Sequence, residues 1–436
     1  MTVYRSANDL PAILRTLGAD HALLADFHTL CSFGGRLAGT AGEREAARWS
    51  ADRLRAISGS HVTVSEDAFP VWEAVRVSLT HADSGEVLPA TPLLGTASTA
   101  LEGLTAEVVD LGLGRPEDFA RERHRLAGRI ALVRHEYPFM HDHMHRDVKV
   151  RLAEESGAAA FLIAFPEAGV GPISGSNGRT GKGGIPALGL SAEAAVRLTD
   201  SGGSAVSARI VCVGRDVTAL LATIVATFPG ESGETIVVSA HVDGHPLGES
   251  AIDNASGLAV AIALARAVAS QPAPLRRTVK ICLFSAEEWN LGGSRRWLDG
   301  LSEAERQRIV LNINLDAVAG DDHFTALTSD FVALPAFLRE ALRDTDLSLD
   351  MFEPFKENSD HANFAADGIP AFRLLAGFNR PQSALRFLLT PKDKRDLVTG
   401  DQLAKAAIIA GAILDHALGA PTPVLTALRT KRSSVA

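Results

Sequence analysis

The stretch Thr235-Ile-Val-Val-Ser-Ala-His241-Val-Asp243 decides the fold, because a nearly continuous apolar run ends abruptly in an imidazole and a carboxylate. Two later runs share that form. Thr278 to Ser285 leads into Ala286-Glu287-Glu288, and Ile309 to Leu315 closes on Asp316. Runs of this length and composition predict strands buried on both faces, as does a further β-rich run from Leu220 to Phe228. The helical pattern from Leu258 to Ala269 between them makes the fold class α/β, a mixed, mostly parallel central sheet flanked by helices. In open α/β sheets, sites form just beyond the carboxyl ends of the strands. His241, Asp243, Glu287, Glu288 and Asp316 are therefore expected to converge. Asp253, in the turn Ala251-Ile-Asp253-Asn-Ala-Ser-Gly257 that immediately precedes the helix, is expected beside them.

One histidine and three carboxylates on adjacent strand ends suit a hard-to-borderline divalent metal, with zinc the natural occupant. Asp253 is placed to bridge two ions. Asp243 is expected to accept the second ring N–H of His241 and fix its tautomer. Successive side chains at a strand end point in different directions, so one of Glu287 and Glu288 can bind metal while the other faces water. The charge of such an ion lowers the pKa of bound water from about 15.7 to roughly 7. Glu287 is the candidate base that takes the proton during attack on a carbonyl.

At 436 residues the chain is long enough for about two to three domains. Its 46% apolar and 22% charged residues are those of an ordinary globular protein. From about Phe69 to Gly214 the texture shifts to short alternating runs broken by glycine and proline, which predicts a small inserted β-rich domain. The expected division is 1–70, 71–215 and 216–436, with the first and last parts forming one domain. Thr40 and Glu43 carry a capping-box signature, in which hydroxyl and carboxylate cap each other's backbone amides, and Ala47, Ala51, Leu54 and Ile57 follow at helical spacing. A net charge of −9 argues against a nucleic-acid partner. The cysteines, Cys31, Cys212 and Cys282, are odd in number and far apart, so they do not read as a disulfide framework. No stretch reads as a signal peptide or an uninterrupted membrane span, and a cytoplasmic protein without a membrane partner is expected.

The residues His241-Val-Asp243, Asp253-Asn-Ala-Ser-Gly257, Glu287-Glu288-Trp-Asn-Leu-Gly-Gly-Ser294, Asn314-Leu-Asp316 and Ser359-Asp-His361-Ala-Asn-Phe364 resemble the co-catalytic zinc aminopeptidase family, which has glutamate carboxypeptidase-like and glutaminyl cyclase-like members. Ser32-Phe-Gly-Gly-Arg-Leu-Ala-Gly-Thr40 is similar to that family's opening. The resemblance implies that His241, Asp253 and Glu288 bind one zinc, that Asp253 and Asp316 contribute to a second, and that Glu287 is the general base. It also implies a cis peptide bond after Asp253. The insert resembles a protease-associated domain through Gly128-Arg-Ile-Ala-Leu-Val133, Glu155-Ser-Gly-Ala-Ala-Ala-Phe-Leu-Ile163 and Ile185-Pro-Ala-Leu-Gly-Leu-Ser191. Such domains commonly cover the active site and shape access to it. One departure stands out: where the family has its last ligand, a histidine, Phe387-Leu-Leu-Thr-Pro-Lys-Asp393 places Leu389. Either another residue replaces it, His361 being the best candidate, or the second site is weak and one ion suffices.

His141, His143 and His145 alternate in the insert and read first as a solvated loop, then as a substrate-contacting pocket, last as a metal site. His245 and His323 lie near the ligands and receive no role. The glycine-rich run Gly169 to Gly184 lacks a phosphate-loop ending and reads as a flexible lid edge. No Gly-x-Ser-x-Gly elbow supports a serine hydrolase. The leading expectation is a metallo-aminopeptidase or related amidohydrolase acting on a small peptide or N-acyl amino acid. The alternatives are a single-zinc cyclising acyltransferase of the glutaminyl cyclase type and a non-catalytic receptor-like binding protein. A homo-oligomer is left open.

Overall fold

In the computed structural model, which describes residues 10–432 apart from residues 58, 179–182, 201–204 and 273, the strand Thr235–His241 occupies the centre. Every position after Thr235 is buried, as an apolar run covered on both faces requires. Thr278–Phe284 pairs with it in parallel on one side and Ile309–Leu315 on the other. Ala371–Ala376 extends the parallel set, and Phe324–Leu327 and Asp350–Phe352 complete that edge, the former antiparallel to Ala371–Ala376. The mixed, mostly parallel α/β sheet expected from the sequence is present.

The helix Ser256–Ala269 lies between this sheet and the helices Ala12–Gly18, Leu23–Ser32 and Gly400–Gly419. Covered on all sides, it has small and branched apolar residues around nearly its whole circumference. Ala251–Ala269 is long and apolar enough by composition to cross a membrane, yet 89% of that window is buried inside the protein, so core packing accounts for it.

On its other side the sheet is carried into the insert by one 22-residue strand, Ser207–Phe228. Its end pairs with Thr278–Phe284, and its beginning pairs with Leu104–Asp110. From there the insert adds Ile130–Arg134, Ala160–Ala164 and Ala187–Leu190 in parallel. His61–His81 runs antiparallel along Ser207–Phe228 from His61↔Thr227 to His81↔Ala208. Gly214, where the texture of the sequence shifts, lies inside the strand Ser207–Phe228. The glycine admits the indole of Trp72: a Cβ there would lie 2.0 Å from Trp72 Cζ2. The expected boundaries at 70/71 and 215/216 lie inside this ribbon, where Pro70 pairs with Thr218 and Trp72 with Asp216.

The helix Ala41–Arg55 buries Ala47, Ala51 and Leu54 as its spacing predicts. Only half of its expected capping box forms. The Thr40 hydroxyl accepts from the Glu43 amide at 3.4 Å, but the Glu43 carboxylate turns inward and accepts from Ser285 Oγ at 2.5 Å. Burial pushes this carboxyl up to about 7, against the opposing effect of the Ser285 bond.

Arg36, from the glycine-rich opening, is wholly buried. Its guanidinium donates to the carbonyls of Val242 (3.0 Å), Glu249 (2.8 Å) and Ser250 (2.8 Å), and to those of Leu30 and Gly34 (3.3 Å each). The loop between His241 and Asp253 is thus fixed from outside, because those carbonyls would otherwise be buried without donors. Arg36→Met is expected to destabilise the fold by about 3 kcal/mol or more in urea denaturation. A loss under about 1 kcal/mol would mean that the loop holds its shape unaided.

Candidate metal centre

His241 ends the central strand with its ring 1% exposed, and its Nε2 lies 3.1 Å from Asp253 Oδ1 and 3.4 Å from Asp316 Oδ1. Two sets of donor atoms each fall within 4.8 Å of one another, His241 with Asp253 and Glu288, and His241 with Glu287 and Asp316. The five residues therefore meet as the strand-end reading requires. His241 Nε2, Asp316 Oδ1 and Glu288 Oε1 are buried and make no hydrogen bond. Unsatisfied imidazole and carboxylate donors facing one another fit a divalent cation.

Asp253 reaches the cluster from the turn Ala251–Ala255, whose Asp253–Asn254 peptide is cis. The Asn254 amide locks that turn: Nδ2 donates to the Leu315 carbonyl at 2.9 Å, and Oδ1 accepts from the Gly257 and Ala317 amides. The turn bearing Asp253 and the strand end bearing Asp316 are thereby tied together.

Asp243 acts differently from the expectation. Its main-chain carbonyl, 3.1 Å from His241 Nδ1, is the acceptor for the ring, while its carboxylate stands 3.6 Å away. The carboxylate instead accepts from the amides of Glu287 (3.1 Å) and Glu288 (3.2 Å), one with each oxygen. Two charge-assisted bonds to otherwise unpaired amides outweigh one longer contact with the ring. Asp243 is a clamp that aims the Glu287–Glu288 pair.

Arg373, which the motifs did not single out, places Nη2 3.1 Å from Asp316 Oδ2, with both side chains 3% exposed. Burial alone would raise the Asp316 carboxyl, but Arg373 and His241 hold it well below the usual carboxylate range. The signal was available, since a lone arginine inside the apolar run Ala371–Ala376 needs a buried acid. Burial drives Glu287 and Glu288 well above that range against the pull of His241, and acidic neighbours add to it, Glu288 for the first and Asp253 for the second. Burial disfavours charge on His241 too, yet Glu287 and Asp316 overcome it and raise the ring well above its ordinary value. The cluster holds more negative charge than its own cations balance.

The structure does not bring His361 into either donor set. It opens the short helix His361–Ala366 fully buried, with neither ring nitrogen hydrogen-bonded. Burial and the nearby Arg373 charge push its pKa down to about 3. Leu389 is buried as well, and its carbonyl accepts from the Ser174 amide of the insert at 2.8 Å.

The insert's three histidines form no donor set among the described residues. Their loop docks on the main domain, the His141 amide donating to Asn379 Oδ1 and its carbonyl accepting from Lys356 Nζ, both at 2.8 Å. Part of the glycine-rich run read as a lid edge, residues 179–182, lies outside the described residues. Next to it, buried Arg146 donates from Nε to the Ser176 carbonyl at 2.6 Å, and its guanidinium fills the space a Cβ on Gly175 would take. Burial lowers the Arg146 pKa, and Glu288, Asp253 and Glu287 partly restore it, so a charge from the insert is felt in the cluster.

Residues 223–413 match the profile of peptidase family M28, and residues 104–198 match the PA domain. The chain is 26% identical to aminopeptidase YwaD of Bacillus subtilis, over 89% of this chain and 82% of that one. It is 25% identical to a probable lipoprotein aminopeptidase, LpqL of Mycobacterium tuberculosis, over 87% and 78%. Its structure resembles that of BSAP, a zinc aminopeptidase from Bacillus subtilis, with a TM-score of 0.74, 25% identity and coverage of 91% and 94%. Fold and kinship thus define a metal-dependent hydrolase of the metallopeptidase class, for which zinc is the expected metal. The chain carries a peptidase family M28 domain, matched over residues 223–413, and a PA domain, matched over residues 104–198.

Asp243→Asn keeps the shape of the clamp but sets an N–H donor against one of the two amides. Zinc affinity, measured by competition with a chromophoric chelator, is expected to fall about 10- to 100-fold with the circular dichroism spectrum unchanged. Equal affinity in the variant would remove the clamp from the account.

Proposed function

We propose that this chain is a zinc-dependent, aminopeptidase-like hydrolase that cleaves a peptide or amide bond in a small peptide or N-acyl amino acid, with Glu287 as general base. The observation that carries this reading is the meeting of His241, Asp253, Glu288 and Asp316 around buried, unsatisfied donor atoms, with the Glu287 carboxylate in the same group. The aminopeptidases among its relatives support the choice of bond.

His241, Asp253, Glu288 and Asp316 would hold the metal. The metal supplies a Lewis acid that acidifies water and polarises a carbonyl. The chain's own part lies in placing and moving a proton. Asp243 fixes the backbone of Glu287, so its carboxylate faces the space beside His241 and Asp316. There it takes the proton of the attacking water and delivers it to the departing nitrogen. Burial, which raises the affinity of Glu287 for that proton, suits a group that must hold it between the two transfers. The charge of Arg146, from the insert, acts on Glu288, Asp253 and Glu287, which supports a role for the insert in shaping what the site accepts. A cytoplasmic location is part of the same proposal and rests on three buried, unpaired cysteines.

A panel of aminoacyl anilides, dipeptides and N-acyl amino acids, followed by mass spectrometry, tests the reaction. Addition of water is the expected outcome, whereas loss of ammonia from a Gln-peptide would indicate a cyclising transferase. Glu287→Gln is expected to lower kcat at least about 100-fold while leaving the zinc content unchanged. Loss of zinc from that variant would make Glu287 a ligand and sink its assignment as the base.

A further inference from the structure

The arginine that holds Asp316 is itself covered from the insert. Arg373 spends its donors in one plane: Nε on the Asp316 carbonyl at 3.3 Å, Nη1 on the Asn358 carbonyl at 2.6 Å, and Nη2 on Asp316 Oδ2 at 3.1 Å. It thus grips both the main chain and the carboxylate of one residue, and leaves Asp316 Oδ1 3.4 Å from His241 Nε2. The flat faces of a guanidinium cannot donate and are weakly hydrated, so an aromatic ring suits them better than water does. One face of Arg373 meets such a ring: buried Phe139 of the insert, whose centroid lies 5.2 Å from Cζ.

The loop that carries Phe139 is fastened on both sides of it. Tyr137 donates from its hydroxyl to the Gly377 carbonyl at 2.7 Å, and the same oxygen lies 2.7 Å from Ser383 Oγ. The Phe139 carbonyl accepts from the Asn379 amide, and the His141 amide donates to Asn379 Oδ1, both at 2.8 Å. The Tyr137 ring meets Phe139 edge-on, with 5.8 Å between centroids. These bonds seat the loop, but none of them involves a residue of the two donor sets. The Phe139 ring does act on one of those residues, through Arg373. By keeping water from the guanidinium it keeps the attraction between Arg373 and Asp316 in a low dielectric, where that attraction is strongest.

We propose that Phe139 is a positioning residue for the metal centre: its ring holds the Arg373 guanidinium in the orientation that presents Asp316 Oδ1 to the ion. The proposal rests on the metallohydrolase reading and adds to it a residue of the insert that no motif singled out. With the ring gone, water reaches the guanidinium, its hold on Oδ2 weakens, and the carboxylate is free to turn away from the ion. The seat of the insert and the geometry of the metal centre are thereby linked by one side chain.

The test is zinc affinity of the full chain by chelator competition, beside the melting temperature of the zinc-free protein. Phe139→Leu keeps apolar bulk but has no ring, and it is expected to bind zinc at least about 10-fold more weakly, the lower end for a disturbed outer partner of a ligand. Phe139→Tyr and Phe139→Trp keep a ring, and at least one of them should recover most of that loss. Tyr137→Phe removes the hydroxyl bonds of the same loop and leaves the Phe139 ring in place. It should lower the zinc-free melting temperature, as Phe139→Leu does, yet keep the wild-type affinity. In the cobalt-loaded protein, Phe139→Leu should shift the visible absorption bands and Tyr137→Phe should not. Wild-type affinity in Phe139→Leu, no recovery by either aromatic variant, or an equal loss in Tyr137→Phe overturns the proposal and leaves the metallohydrolase reading in place. A wild-type protein that binds no zinc overturns both.

Discussion

Mutual repulsion among buried carboxylates is the constraint on which the rest of this structure depends. Asp253, Glu287, Glu288 and Asp316 meet beside His241 where the central strands end, and Asp316 and Asp243, the latter bound to the Glu287 and Glu288 amides, are out of water's reach. Removing such groups from water is tolerated only if each finds a donor or a counter-charge. Asp243 spends its charge on two amides, and Asp316 on Arg373. The remaining acids share His241, and the imbalance is what a divalent ion is suited to correct. Metal affinity and fold stability are thus two readings of one electrostatic problem.

The cations that make this convergence tolerable come from remote parts of the chain. Arg36 reaches the His241–Asp253 loop from the N-terminal helices, Arg373 arrives on a strand two places from the centre, and Arg146 enters from the insert. None of them is a ligand. Each fixes either a backbone or a carboxylate, so that the ligating atoms stay in place when no ion holds them. A cluster supported in this way is preorganised, and ordering it does not have to be drawn from the energy of binding.

The sequence made this centre legible because its information is local. An apolar strand that stops at a histidine or an acid announces both the element and the site, and the insert's strands Ile130–Arg134, Ala160–Ala164 and Ala187–Leu190 coincide with its quoted motifs. What stayed hidden depends on direction or on distance. Spacing of two residues put Asp243 beside His241, but not which of its oxygens would face the ring. Glu43 has the position of a capping residue and the burial of a core one, because Ser285, 242 residues away, offers a hydroxyl. Gly214 gives no sign in the sequence that the indole of Trp72 lies across it. The partners in these cases are brought together only by the finished fold.

The insert belongs to the same accounting, which changes what it is. A cover that merely restricted access would touch the rim of the site and leave its electrostatics alone. This one places Phe139 5.2 Å from the Arg373 guanidinium, donates from Ser174 to the main chain of Leu389, and extends the field of Arg146 to Glu287 and Glu288. The long ribbon of His61–His81 and Ser207–Phe228 makes the connection stiff, because its strands pair with the main sheet at one end and with the insert at the other. A shift of the insert would therefore alter the charge balance of the cluster. The insert acts on the cluster through its charge, although every donor atom of the two sets comes from the main domain.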